Sequence, residues 1–169
     1  MSEVTGTVYD SFASRAADFG VEVTRVPGDE ATAAIEAAIE EPVVAAPLPG
    51  DDLGLPDGVP TDPTPSDLDR AVTGVTAADL AIAAYGSIVL GATPAGTEPV
   101  SLFPDRHVAV LREQDIVADM AAAFESLGNE LRSTRGSAVL ATGPSATADM
   151  GELVKGAHGP KEVRVIVVQ

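Results

Sequence analysis

The run EVRVIVV at residues 162–168, entered from the turn-forming stretch GAHGP at 156–160, decides the fold. An apolar, β-branched segment this nearly continuous is a strand buried on both faces, so it belongs between neighbours and not at the edge of a sheet. Working back along the chain, VEVTRV (21–26), PVVAA (42–46), AIAA (81–84), SIVLGA (87–92), HVAVLR (107–112) and SAVLAT (137–142) read as further strands. Helical spacing falls between them. Alternation of the two predicts an α/β fold, with a mixed or mostly parallel sheet flanked by helices on both faces.

The first helix covers residues 8–20, where Phe12, Ala16 and Phe19 share a face and Gly20 stops it. Pro27-Gly28 then turns the chain, and Asp29 caps a helix that presents Ala31, Ile35 and Ile39. Thr76 is expected to cap a short helix. A later helix carries Ile116, Met120, Phe124 and Leu127, with Asp115 near its start and Gly128 just past its end. Residues 47–70 hold many Pro and Asp with few apolar residues, and read as a mobile acidic surface loop, a lid being the alternative. With 169 residues and no internal repeat, the expectation is one domain over 1–169 around one core.

Hydrophobic residues make up 45% of the chain but aromatic ones only 4%, so Ala, Val, Leu and Ile must fill the core. The formal charge is −16, with Lys only at 155 and 161. That balance argues against nucleic acid and anionic membrane surfaces, which need clustered cations. It also predicts stability that rises with salt, as screening relieves self-repulsion in halophile-like proteins. There is no Cys, so the chain has no thiolate for zinc or iron–sulfur ligation. No cofactor is expected, since nucleotide-binding glycine motifs are missing and His107, His158 and Asp149 would have to form a metal site alone. The start MSEVTGTVYD lacks an apolar leader and no long apolar span occurs, so a cytoplasmic location is expected.

Three polar clusters interrupt the apolar pattern, each at the end of a predicted strand. In Ala84-Tyr85-Gly86-Ser87, Gly86 permits a tight turn and Ser87 offers a hydroxyl to a ligand; a purely structural turn is the other reading. Pro104-Asp105-Arg106-His107 sets a cation suited to a carboxylate or phosphate beside a residue that carries protons near neutrality. The alternative is a part-buried His107 bonded to a carbonyl. The third cluster, Gly143-Pro144-Ser145-Ala146-Thr147-Ala148-Asp149 followed by Gly156-Ala157-His158-Gly159-Pro160, has small residues and hydroxyls that let backbone N–H groups approach an anion. Both of its segments also serve as simple chain reversals. The candidate catalytic residues are His107, His158 and Asp149; the candidate substrate contacts are Gly86, Ser87, Arg106, Gly143, Ser145, Thr147 and Gly159. No metal is assigned.

The stretch GPSATAD…GAHGPKEVRVIVV (143–168) resembles the GPS-x-TAD…G-x-HGP-x-E signature of the LUD domain family, the lactate-utilisation protein C type. VTGVTAADLAIAAYGSIVL (72–90) and SLFPDRHVAVL (101–111) resemble further segments of the family, so order and spacing agree over about 72–169. Ala84, Tyr85 and Ala146 depart from it, standing where the family usually has an acidic residue, Thr and Arg. The resemblance implies a fold similar to the NagB/RpiA/CoA-transferase group. It also implies work in oxidising L-lactate to pyruvate beside iron–sulfur partner subunits, with a small anionic metabolite in the pocket. A freestanding enzyme of that fold group and a noncatalytic scaffold are the alternatives.

Overall fold

The computed structural model describes residues 7–134, 136–149 and 151–169, excepting the side chains of 148 and 149. The first six residues of the expected leader-free start therefore lie outside the described residues. Helix α1 (Val8–Asp18) is followed by strand β1 (Glu22–Val26), helix α2 (Ala31–Ala38), strand β2 (Val43–Ala45), helix α3 (Pro65–Arg70) and strand β3 (Thr73–Ala77). Strands β4 (Leu80–Ile82) and β5 (Ser87–Gly91), helix α4 (Thr97–Leu102), strands β6 (Arg106–Arg112) and β7 (Ile116–Val117), and helix α5 (Met120–Thr134) come next. The chain continues through β8 (Ala138–Ala141), β9 (Ala146–Asp149), β10 (Glu152–Lys155) and β11 (Glu162–Val168).

Five strands form a sheet in the order β1-β11-β6-β3-β2, and every neighbouring pair in it is parallel. Strand β11 sits between β1 and β6, as its apolar run predicts. Alternation along each strand divides the sheet's side chains between two cores. Val75, Val108, Val110, Ile166 and Val168 meet Ala31, Ile35 and Ala38 of α2. On the opposite face Ala109, Leu111, Val163, Val165 and Val167 meet Phe12 and Ala16 of α1, together with Ala81, Ala83, Ile88 and Leu90.

Ala81, Ile88 and Leu90 belong to a second sheet, with Ala83 just past the end of β4; its order is β7-β4-β5-β8, and β5 is antiparallel to both β4 and β8. The far face of this sheet, Leu80, Ile82 and Val89, is covered by Ala123 and Leu127 of α5. The domain is thus layered: α2, the parallel sheet, α1 with the second sheet, then α5. Mostly aliphatic side chains fill all three interfaces, in keeping with the composition.

Several expectations are corrected. Thr76 caps no helix; it lies in β3, fully buried, because Thr73-Gly74-Val75-Thr76 continues a β-branched run inside the parallel sheet. Ile116 lies in β7 and the helix begins only at Met120, where Asp119 Oδ1 accepts the Ala122 amide at 2.9 Å. Gly128 is inside that helix, and Phe124 is 65% exposed because Ala123 and Leu127 form the inward stripe. Asp29 sits in a 3-10 turn, and Glu30 precedes α2 without a side-chain cap. Phe19 also faces out. Residues 47–70 contain α3 with a Thr64/Asp67 capping box, and Leu48, Leu53, Leu55 and Val59 pack against the α2 core. Four well-spaced apolar residues suffice to tie the segment down despite its polar composition.

Candidate functional site

His107 is the second residue of β6 and pairs with Val163 of β11 and Gly74 of β3. Its side chain points to the face that Ala109 and Leu111 share, toward the second sheet. There it meets a cavity of about 200 Å³, also lined by Leu90, Val139, Thr142 and Ser101 among others. The far wall comes from two turns: Gly143, Pro144 and Ser145 on one, His158, Gly159 and Pro160 on the other. Ser145 stitches them together. Its N–H donates to the Pro160 carbonyl at 2.9 Å, its carbonyl accepts the Gly156 N–H at 2.9 Å, and its Oγ accepts the His158 N–H at 3.3 Å.

Five expected site residues therefore converge: His107, Gly143, Ser145, His158 and Gly159. Gly143 is held at φ 68, a left-handed conformation that L residues rarely adopt, and a Cβ there would meet Phe19 Cβ at 2.8 Å. Between the two turns the chain makes the antiparallel hairpin β9–β10, with Asp149 opposite Glu152. Thr147 lies in that hairpin and does not line the cavity, and the side chain of Asp149 is outside the described residues.

Three expected contacts are placed elsewhere. Ser87 is one bond removed, its Oγ 2.6 Å from the Oγ1 of cavity-lining Thr142. Gly86 serves packing: at φ 64, a Cβ on it would stand 2.5 Å from the Ala16 amide nitrogen of α1. Arg106 is turned away. Its Nε donates to Glu162 at 2.9 Å and it pairs with Glu40 at 3.3 Å, in a separate depression with Val72, Asp105 and Lys161. Adjacent residues of a strand face opposite sides, so Arg106 and His107 cannot share a wall.

Among the described residues the cavity wall carries no Lys, Arg, Asp or Glu. His107 is 2% exposed, and burial pushes its pKa down to about 4, so the ring is uncharged near neutrality. His158, in contrast, is exposed at the rim.

A second cavity, about 260 Å³, lies at the carboxyl ends of β3 and β6, where open parallel sheets usually bind ligands. Asp79, Arg112, Asp115 and Glu130 line it. Burial raises the pKa of both Asp79 and Asp115, and Glu130 and Asp115 add to the rise at Asp79. Arg112 is committed to Asp52 through two bonds of 2.7 and 2.9 Å. Its three carboxylates make this cavity hostile to an anion. Sequence reading missed it because Asp79 and Glu130 sit in no recognisable motif. Among the described residues no three His, Asp or Glu gather as a metal site would require.

Comparison with known proteins gives a concordant picture. The family model described as LUD domain matches residues 63–168. A lactate utilization protein C from Deinococcus radiodurans is 34% identical over 170 aligned residues, covering 95% of this chain and 79% of that protein. One from an Exiguobacterium species is 34% identical over 104 residues, 59% of this chain and 45% of the relative, so the match spans less than half of that longer protein. Among solved structures, the crystal structure of a DUF162 family protein from Deinococcus radiodurans superposes with a TM-score of 0.75 at 26% identity, covering 96% of both chains.

Proposed function

The chain belongs to the LUD domain family, and from that membership we propose that it acts in L-lactate utilisation by holding a small oxygenated acid in the His107 cavity. In this reading it is a subunit or accessory protein that handles lactate or pyruvate, while partner subunits bearing iron–sulfur clusters carry the electrons. A chain without Cys cannot ligate such a cluster through thiolates, which suits that division of labour. The supporting observation is convergence: residues separated by 36 to 52 positions along the chain, His107 on one side and Gly143, Ser145, His158 and Gly159 on the other, wall one small space. Its volume suits a metabolite of a few carbons better than a nucleotide, since drug-sized sites begin at about 300 Å³. Between the two cavities, this one lacks, among the described residues, the carboxylates that would repel an anion.

No described helix is long and apolar enough to cross a membrane, and a cytoplasmic site of action is part of the proposal. The test is isothermal titration in molar potassium chloride with L-lactate and pyruvate, on the parent chain and on His107→Ala and His158→Ala. Saturable binding that both substitutions weaken supports the reading. Binding to neither acid, or binding that both variants retain, refutes it.

A further inference from the structure

Behind His107 stands Thr76. The two lie on adjacent parallel strands, Thr76 paired with Ala109 two residues beyond the histidine, and Thr76 Oγ1 is 2.9 Å from His107 Nε2. Both are deeply buried, at 0% and 2% exposure. A neutral imidazole carries one N–H, so the bond has two possible senses. Either the Thr76 hydroxyl donates to Nε2, or Nε2–H donates to the hydroxyl oxygen. The structure shows no second partner for Thr76 Oγ1 among the described residues. In the second sense its own proton would be buried with no acceptor, a penalty that the first sense avoids.

With Nε2 accepting, the ring's proton sits on Nδ1. Among the described residues no buried side-chain nitrogen or oxygen lacks a partner. Nδ1 has no bond within the described residues, and the open space that the ring lines is the cavity. We propose that Thr76 is a positioning residue that locks His107 in the Nδ1–H tautomer, so that the cavity offers an uncharged N–H donor and selects ligands bearing a carbonyl or carboxylate oxygen. The proposal rests on the cavity being the ligand site. Burial, which keeps the ring unprotonated near neutrality, agrees with it. With no cation on the wall among the described residues, such an oxygen is held by a directed dipole beside aliphatic side chains.

The test begins without ligand. In ¹⁵N-labelled protein at pH 7, long-range ¹H–¹⁵N correlation spectra report which ring nitrogen carries the proton, with a His158→Gln sample assigning the signals. The expected result is one neutral tautomer protonated at Nδ1, retained in Thr76→Ser and lost to Nε2–H or a mixture in Thr76→Val. Protonation at Nε2 in the parent chain, or an unchanged tautomer in Thr76→Val, overturns the lock; if Thr76→Val does not fold, the parent spectrum still decides. Titration with pyruvate then reads recognition, where Thr76→Val should bind about 3- to 10-fold more weakly and Thr76→Ser nearly normally. Equal binding by both variants overturns the recognition step. Failure of the parent chain to bind pyruvate refutes the functional reading above while leaving the tautomer measurement standing.

Discussion

Replacing His107 by Gln should abolish one particular component of the protein's acid sensitivity. Burial holds the folded-state pKa near 4, against 6.5 for an unperturbed histidine. Between those values the unfolded chain binds a proton that the folded chain refuses, so stability rises with pH there and is lost as pH falls. The contribution is complete above pH 6.5 and gone once pH passes below 4. Full loss amounts to about 3 kcal/mol at 1.36 kcal/mol per pKa unit, and the interval from pH 7 to 4.5 contains about 2 kcal/mol of it. The assay is urea unfolding followed by circular dichroism in molar potassium chloride, on the parent chain and His107→Gln at both pH values. Carboxylates that titrate in the same range affect both chains and cancel in the double difference. His107→Gln will lower stability at pH 7, but the parent should lose about 2 kcal/mol more than the variant on acidification. A double difference below about 0.5 kcal/mol would show that the ring is hydrated or charge-paired, and the account of an uncharged donor in the cavity would fall with it.

Other consequences concern placement. Gly86→Ala forces a side chain into the left-handed region and against the Ala16 amide, and should cost about 1–3 kcal/mol in the same unfolding assay. Arg106→Gln should change the affinity for pyruvate less than about twofold in calorimetry, because Arg106 spends its guanidinium on Glu40 and Glu162 away from the cavity. Raising potassium chloride from dilute to molar should raise the thermal midpoint of the parent chain, since the formal charge of −16 is then screened. An unchanged midpoint would mean that the acidic excess is already accommodated without salt.

The sheet and its two covering helices were legible because buried parallel strands advertise themselves: EVRVIVV and HVAVLR have no other comfortable structure. What failed was local and physical. Thr76 satisfies a helix-cap pattern and a strand pattern equally well, and only its neighbours on β6 choose between them. The stripe Ile116, Met120, Phe124 and Leu127 was laid across a strand-to-helix junction, so its first member belongs to β7, and Phe124 faces out while Ala123 and Leu127 turn inward. The hairpin β9–β10 escaped notice because its four-residue strands fall between two glycine-rich turns. The cavity itself was half legible. Clusters rich in Gly, Ser and His mark where the chain turns, and turns gather at the ends of layers; but grouping Arg106 with His107 ignored the strand alternation that the same sequence already displayed.

The place of β11 also bears on how the molecule is made. Strand β1 has β11 as its sole partner in the five-stranded sheet, and β6 has it as one of two. A ribosome has to deliver residues 162–168 before those strands can close, so a nascent chain that has already emerged as far as β10 still displays two unsatisfied parallel edges lined with valines. Such a chain waits in an adhesive state, and its high acidic charge, by keeping copies apart, protects it during the delay.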